Sequence, residues 1–356
     1  MKIKKHILKS VLISLLVLVS ATNIFAENHS EEKSEKGTYN PVPKIMHHIK
    51  NSHEWHLFDY KDNEGKLHPV SIPLPVILYT SGNIDFFMSS DFNHGHSDVQ
   101  KEDRIYSIDE HSHITVVNTE QKSMSILDVS ITKNVASMLI SVLILFLLLR
   151  ATSAGYKKNK YAPKKIQAFL EPLILFVRDD IIKANIGPTY KKYSFFLLTV
   201  FFFIFINNLM GLLPGSANVT GNISVTLVLS VFVFIITTIS GNKNYWKHIF
   251  NPPTPLVLMP IMVPIEIFGV FTKPFALMIR LFANITAGHI TILSLISLIF
   301  IAQSGAGNGA AWGVAPLSVL FVLFIYLIEL LVAFLQAYIF TLLSAVFIGL
   351  AVKEDH

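Results

Sequence analysis

Long apolar stretches separated by short polar ones occupy most of the chain after residue 133. These stretches lie at 135–150, 193–213, 223–239, 275–302 and 317–352. A helix needs roughly 20 mostly apolar residues to cross a bilayer, and each stretch reaches or approaches that length with its neutral flanks. The pattern predicts an all-α polytopic membrane protein with five transmembrane helices, at about 133–152, 193–213, 222–240, 264–302 and 317–352.

Residues 163–187 show a different pattern. Apolar residues recur there at helical spacing, but Lys165, Arg178 and Asp179 lie among them. This mixture is typical of an amphipathic helix that lies in the membrane interface rather than crossing the bilayer. We expect Pro172 to kink this cytoplasmic interfacial helix and Gly187-Pro188 to end it.

The last two predicted helices are unusually long. A continuous helix over 264–302 would measure about 58 Å at 1.5 Å per residue, whereas the hydrocarbon core is about 30 Å thick. Such a helix must be strongly tilted or bent. The Gly-rich stretch QSGAGNGAAWG at 303–313 is expected to turn the chain into an antiparallel partner at 317–352. The pattern predicts a long tilted hairpin that faces a curved surface.

The N-terminal part of the chain has two sections. Residues 1–26 combine a basic start, a short apolar core and Ala26 before a polar stretch, which is typical of a cleaved secretory signal peptide. An uncleaved membrane anchor is the alternative. Residues 27–132 are polar and contain short apolar runs bounded by Pro, Gly and Asn, which favour some β-strands. If the signal is real, this small segment is extracytoplasmic.

The segment 27–132 is also rich in histidine. Ten of the 14 histidines lie in this segment. Metal binding is one interpretation, but spacing alone does not define a site, and solvated surface histidines are the interpretation that we favour. The histidines of this segment include His47, His48, His94, His96, His111 and His113.

The placement of positive charge predicts the topology. Lysine and arginine follow the first and third predicted spans, whereas the loops at about 214–222 and 303–316 contain no charged residue. Because cytoplasmic loops carry the excess of positive charge, the C-terminus is expected in the cytoplasm and the N-terminus outside. Only 15% of residues are charged, and the net charge of +5 resides beside the spans, which argues against nucleic acid as a partner. The chain has no cysteine, and therefore no disulfide or thiolate metal site.

One permanent charge lies inside a predicted span. Arg280 occurs in FALMIRLFANITAGHI, and an arginine at the centre of a membrane helix costs about 2.5–3.5 kcal/mol on insertion scales. At 100° per residue, Arg280 shares a face with small or modest side chains, namely Ala276, Ala283, Asn284, Ala287 and Thr291. Small residues allow close helix approach in lipid, so ordinary helix packing is the alternative. Because this face also carries the arginine, we interpret it as a surface that brings a positive charge into contact with a partner.

Two more ionisable residues lie at the same depth. His289 is nearly opposite Arg280 on the helical wheel, and a turn centred near residue 309 brings position 289 level with Glu329. Gln336 lies on the same face as Glu329 and roughly level with Arg280. A histidine and a carboxylate facing each other in a membrane are typical of proton relays, which we favour over a purely structural buried pair.

The sequence from residue 125 to 352 resembles subunit a of F-type ATP synthases. The motifs that carry the resemblance are KPFALMIRLFANITAGHI, ELLVAFLQAYIFTLL, NNLMGLLPG, NISVTL and PIEIFGVFTKP. The resemblance implies that Arg280 is the arginine that faces the rotor ring of c subunits, and that Asn284 and Gln336 are its polar neighbours. It also implies that Glu266 lies near a cytoplasmic access path. Many members carry Glu on the arginine helix and His on the last helix. Here His289 and Glu329 are exchanged, and we expect the exchange to preserve function.

Two positions depart from the family pattern. Gly211 and Asn222 replace acidic residues that some members carry, which leaves the lining of the exported-side path open. Asn207, Asn208 and Asn222, or histidines of the N-terminal segment, are the candidates for that lining.

The function implied by the resemblance is that of a proton-translocating stator subunit with two offset half-channels. The implied partners are the c-ring, the b-subunit peripheral stalk, other ATP synthase subunits and the lipid of the bacterial inner (plasma) membrane. No cofactor or metal is expected, and the chain alone is not expected to be catalytic, because no nucleotide-binding loop of the form GxxxxGK[ST] occurs. A self-contained ion transporter or channel is the alternative, although such proteins usually contain internal repeats, which we do not find. A passive anchor would not need Arg280, His289 and Glu329 inside its spans.

Overall fold

A computed structural model of the chain describes residues 39–62, 67–80, 82–95, 97–109, 113–118, 125–158, 163–164, 166–213 and 215–353. The predicted signal peptide at 1–26 lies outside these residues. The described residues form two compact units. The first contains 39–47, 52–133 and 294–320, and the second contains 48–51, 134–293 and 321–353.

The first unit is built largely from short antiparallel strands. A helix α1 (Val42–Ile49) precedes eight strands: β1 (Glu54–Lys61), β2 (Leu67–Pro73), β3 (Pro75–Thr80), β4 (Asn83–Met88), β5 (Val99–Lys101), β6 (Arg104–Ile108), β7 (Ile114–Asn118) and β8 (Ile126–Asp128). They form the sheets β1-β2, β4-β3-β8 and β5-β6-β7. A 3₁₀ helix, Ser89–Gly95, follows β4. Alternate side chains of β3, including Val76 and Leu78, are buried with Phe92 and Tyr106 in the core of this unit.

Several buried polar side chains of the first unit lie against one another. The buried Arg104 lies 3.2 Å from a carboxylate oxygen of Asp85, and the hydroxyl of Tyr106 donates to the same carboxylate at 2.6 Å. His53 Nε2 lies 2.6 Å from Asp128 Oδ2. Partial burial acts to raise the pKa of Asp128, but hydrogen bonds from His53 and Ser130 outweigh it and lower that pKa to about 2. Asp128 therefore stays ionised opposite His53 at neutral pH.

The second unit contains most of the apolar helices. They are α2 (Lys133–Lys158), α3 (Ile166–Leu175), α4 (Tyr190–Gly211), α5 (Ile223–Ser240) and α6 (Lys243–Phe250). A helical run α7 (Met259–Val352) follows, and its residues 294–320 belong to the first unit. Between α3 and α4 the chain continues as a π-helix over Phe176–Lys183 and a helical turn over Ala184–Ile186. Within the described residues, four helical stretches are long and apolar enough to cross a membrane: Lys133–Tyr156, Ile166–Gly211, Ile223–Ser240 and Leu256–Val352.

The helical run α7 folds back on itself. Gly307 has φ 81° and ψ −178°, a conformation that glycine adopts far more readily than other residues. The Glu329 carboxyl packs against Gly288, although a straight helix would separate these residues by about 60 Å at 1.5 Å per residue. We call residues 259–306 the arginine arm and residues 308–352 the return arm.

The turn of the hairpin is shorter than the sequence suggested. We predicted arms at 264–302 and 317–352 with a Gly-rich connection, but the helical conformation begins at Met259 and continues through 303–316 except at Gly307. The chain reverses at one glycine with positive φ, inside the stretch 303–313 that we expected to turn it, and the neighbouring Ala310 and Ala311 favour helix. The arginine arm is then about 70 Å long at 1.5 Å per residue.

The core of the second unit joins α4 to the return arm. Buried residues of α4, such as Leu197 and Phe201, pack in one cluster with Ile181 of the π-helix and with Phe340 and Ile348 of the return arm. Most apolar residues of α2 remain exposed, as expected for a surface that faces lipid or another chain.

Gly349 marks a close approach within this core. A Cβ at this position would overlap the backbone carbonyl oxygen of Asn185, whereas a Cβ at Gly269 would meet nothing within 4 Å. We expect Gly349→Ala to destabilise the protein by about 1–3 kcal/mol, because the backbone must shift to make room. Thermal unfolding in detergent should show this loss, with Gly269→Ala as the matched control. Equal melting temperatures for the two variants would contradict the close approach.

Candidate functional site

Arg280 lies on the outward face of the arginine arm. Its five predicted companions on that face are also exposed: Ala276, Ala283, Asn284, Ala287 and Thr291. Apolar residues on the other side of the same arm, including Leu277, Leu281 and Ile285, are buried. Among the described residues, Arg280 has no hydrogen-bond or ion-pair partner. The chain therefore presents a guanidinium on an outward stripe of small side chains.

Glu329 is buried where the two arms meet. Its residue is only 7% exposed, and a Cβ on Gly288 would overlap its carboxyl group. Because Gly288 has no side chain, the carboxyl group of Glu329 fits between the two helices at this position. The contact aligns residue 329 with residue 288, one position from the alignment with His289 that the sequence predicted.

His289 lies next to this contact and approaches α4. Its Nε2 atom is 3.6 Å from the position that a Cβ on Gly211 would occupy. Gly211 is one of the two departures from the family pattern, and here its missing side chain leaves room beside the imidazole. Glu329 and His289 are therefore at one level of the hairpin, adjacent to three helices: both arms of α7 and α4.

Gln336 is buried on the return arm, with an exposed fraction of 5%. Counting in both directions from the contact between residues 288 and 329 brings residue 336 level with residue 281. Because each step rises about 1.5 Å in both helices, Gln336 and Arg280 lie within one turn of the same height. Arg280 is exposed at that height and Gln336 is not.

Glu266 lies near a histidine that the sequence analysis did not single out. Its Oε2 is 3.9 Å from Nδ1 of His248 at the end of α6. The side chain of Asn242 caps α6 by accepting from Tyr245 N, and its amide donates to the carbonyl of Lys353 at 2.6 Å. The cap fixes α6 beside the end of the return arm. The signal that could have revealed His248 is the N-cap asparagine followed by the short amphipathic stretch KNYWKHIF.

The three asparagines proposed for the exported-side path have structural partners. Asn208 donates to the carbonyl of Ala333 at 3.2 Å and accepts from Thr220 at 2.6 Å. Asn207 donates to Ser141 at 2.9 Å. Asn222 caps α5 through a hydrogen bond from Ser224 N. Asn207 Oδ1 is buried without a hydrogen-bond partner among the described residues. That oxygen is the acceptor atom among the three side chains whose hydrogen bonding no described residue satisfies.

The histidines of the N-terminal segment form no metal cluster within the described part of the chain, where no three His, Cys, Asp or Glu side chains converge. His96 and His111 lie outside the described residues. Of the described histidines in the segment, His53 pairs with Asp128 inside the first unit.

Two family models match the chain. The model described as "ATP synthase A chain" matches residues 135–349, and a model described as a domain of unknown function matches residues 44–135. The two matches meet at residue 135, two residues after α2 begins.

Curated relatives carry the same family name over the membrane part. "ATP synthase subunit a" of Chloroherpeton thalassium is 50% identical over 237 residues, which cover 64% of this chain and 69% of the relative. "ATP synthase subunit a 2" of Chlorobaculum tepidum is 51% identical over 235 residues, covering 64% of this chain and 65% of the relative. "ATP synthase subunit a" of Myxococcus xanthus is 45% identical over 237 residues, covering 65% of this chain and 75% of the relative. From the match over 135–349 and these identities, the chain belongs to the ATP synthase A chain family.

Proposed function

We propose that this chain is the stator of a rotary ATP synthase and that Arg280 holds the boundary between its two proton half-channels. As a member of the family, the chain is a proton-translocating subunit of the membrane sector. The observation that carries the proposal is the position of Arg280: an exposed guanidinium, unpaired among the described residues, on an outward stripe of small side chains.

An exposed arginine at membrane depth requires a partner of opposite charge. Burying an unpaired ion in hydrocarbon is prohibitive, so a carboxylate on a neighbouring ring of c subunits is the partner that we propose. The small residues Ala283 and Ala287 allow such a ring to approach closely. Arginine suits the role because its guanidinium does not lose its proton when it is desolvated.

The obligatory passage of protons by way of the ring follows from this pairing. A ring carboxylate can face lipid only when it is neutral, and Arg280 favours the ionised form, so each carboxylate that arrives gives up its proton on one side. The carboxylate binds a new proton on the other side, which reaches it through a separate path. Protons therefore cross the membrane only while bound to carboxyl groups of the rotating ring. One charge that moves through 100 mV provides about 2.3 kcal/mol for rotation.

The remaining polar residues provide the two paths in this proposal. Glu329, with His289 beside it, relays protons on the exported side, and Asn207 Oδ1 is a water acceptor on that route. Asn284 and Gln336 provide polar groups at the level of Arg280. Glu266 and His248 collect and release protons on the cytoplasmic side, since both side chains are partly exposed.

We further propose five crossings, with the N-terminal segment outside and the C-terminus in the cytoplasm. The chain is a multi-pass membrane protein, and in a bacterium the membrane of this complex is the plasma membrane. The fold-back at Gly307 supports two crossings by α7. The ring of Tyr39 lies 5.9 Å from that of Phe300, and the backbone N–H of Tyr39 donates to Ser304 Oγ. Both contacts support placing the N-terminal segment and the hairpin turn on one side. The b-subunit stalk is the partner that we propose for keeping this stator fixed against the ring.

Cross-linking to the ring tests the proposal. The chain contains no cysteine, so Ala283→Cys introduces a single reactive site on the Arg280 face. Oxidation of membranes that carry a matching cysteine on the c subunit should yield an a–c product. The control Leu143→Cys lies on the exposed surface of α2 and should yield none. No product from position 283, together with proton flux through the purified chain alone, would favour the self-contained transporter instead.

The pair formed by His248 and Glu266 leads to a quantitative expectation. Glu266→Gln should lower the ATP-driven proton pumping rate several-fold, because the amide cannot exchange protons, and His248→Gln should lower it less because His248 is the more exposed partner. Quenching of a pH-sensitive dye in inverted vesicles measures both rates. Lys247→Gln, which removes a neighbouring exposed charge, is the matched control. A Glu266→Gln variant that pumps at the control rate would exclude Glu266 from the path.

A further inference from the structure

The sheet β4-β3-β8 carries a second apolar surface. Tyr79 of β3 pairs with Ile84 on one side and with Leu127 on the other. One step along the same face, Ile77 pairs with Phe86 and accepts a hydrogen bond from Val129 N at 3.0 Å. These pairs form two rows of three apolar side chains. We call them the outer apolar face: Ile77, Tyr79, Ile84, Phe86, Leu127 and Val129.

The outer apolar face is not the core of the unit. The core uses the opposite side of the same strands, where Val76, Leu78 and Phe87 are buried. Five of the six outer residues are exposed, with fractions from 46% for Tyr79 to 72% for Ile84. None of the six is charged. A strand that is apolar on both faces is typical of a sheet covered on both sides, and a contiguous exposed patch of this kind marks an interaction surface.

The chain holds this face close to the membrane. Val129 precedes Lys133, the first residue of α2, by four residues, which reach at most about 14 Å. Backbone pairing continues into this short stretch, since Ile131 N donates to Pro75 O at 3.0 Å. At the other end of the segment, Tyr39 packs on Phe300, which lies near the end of an apolar run.

We propose that the outer apolar face binds the lipid bilayer itself, at the boundary between headgroups and acyl chains on the exported side. Two connections keep the segment beside the bilayer, so the nearest apolar phase is lipid. The composition agrees, because uncharged aliphatic and aromatic side chains, including a tyrosine with a polar tip, suit the interfacial layer. The N-terminal segment then lies on the membrane surface around the start of α2. The inference does not depend on the proton path proposed above.

Site-directed spin labelling of the assembled complex tests this inference. Phe86→Cys and Ile84→Cys each place one label on the outer apolar face, and Gln100→Cys places one on the exposed side of β5 as the matched control. In vesicles of phosphatidylcholine and phosphatidylglycerol, oxygen concentrates in the bilayer while a nickel chelate stays in water. Labels at 84 and 86 should collide several-fold less with the chelate, and more with oxygen, than the label at 100.

Three results would overturn the inference. Chelate access at 84 and 86 equal to that at 100 would mean that the face is in water. Low access to both oxygen and chelate would mean that another protein chain covers it. A second variant series adds a check: with a label at Leu127→Cys, the double change Ile84→Ser and Phe86→Ser should raise chelate access while the complex still assembles, because both side chains lie outside the core. Unchanged access at 127 would also contradict lipid binding.

Discussion

Replacing Arg280 with alanine is expected to abolish ATP-driven proton pumping and ATP synthesis while the complex still assembles. The side chain is exposed and contacts no charged group among the described residues, so its removal leaves no buried group unpaired within this chain. What is lost is the fixed charge that favours deprotonation of a ring carboxylate in lipid. Protons could then cross without forced rotation, so passive proton leak should rise as pumping falls to background.

The measurement combines three readouts on inverted membrane vesicles. Subunit content reports assembly, dye quenching with ATP reports pumping, and decay of an imposed proton gradient reports leak. Arg150→Ala, at an exposed position near the end of α2, is the matched control and should leave all three unchanged. Arg280→Lys retains the charge but lacks the delocalised guanidinium, and it should also fail to couple. Normal pumping by Arg280→Ala would remove the basis of the proposed mechanism.

The arrangement around Arg280 could be predicted from the sequence to a large extent. Helical periodicity predicted that Arg280 shares a face with Ala283, Asn284 and Ala287, and the structure places all four side chains on the outside. The hairpin register was predicted within one residue from the position of the glycine-rich stretch. Both follow from the rigid geometry of α-helices, where spacing along the chain fixes direction and height.

Close approaches of backbones could not be predicted in this way. Gly288 and Gly211 resembled the other small residues of apolar helices, and only the packing of three helices shows that they leave room for Glu329 and His289. The partners of Asn207 and Asn208 were missed for the same reason, since a hydrogen bond between helices depends on their separation and rotation. His248 was missed because its relation to Glu266 spans two elements with no common periodicity.

The sequence predicts that the N-terminal segment contains β-strands, but it does not predict how those strands pair. Alternation in PVILYT and the surrounding prolines indicate strands, but the pairing of β3 with the distant β8 depends on contacts across about fifty residues. The outer apolar face arises from that pairing, because it adds Leu127 and Val129 to the side chains of β3 and β4. A membrane-facing surface can therefore form from short strands, none of which would be long enough to indicate membrane contact by itself.

Exchanging His289 and Glu329, by His289→Glu with Glu329→His, should retain more proton flux than either single change. His289→Glu leaves two carboxyl groups at one level of the hairpin, and Glu329→His leaves two imidazoles. When two such groups lie close together, a charge on one disfavours a charge of the same sign on the other. The double variant restores one acid and one base. Gly288 and Gly211 give both positions room for the exchanged side chains, and the ring of histidine at 329 must fit over Gly288.

The pumping rates of the three variants, measured at equal complex content, decide whether the two residues act as a pair. Coupling appears when the double variant loses less than the product of the two single losses. Gly288→Ala is the structural control: it displaces the side chain at 329 without altering any titratable group, so it should lower pumping both in the native chain and in the double variant. A double variant no better than the better single variant would mean that His289 and Glu329 serve separate paths, and the relay on the exported side would then need a different second member.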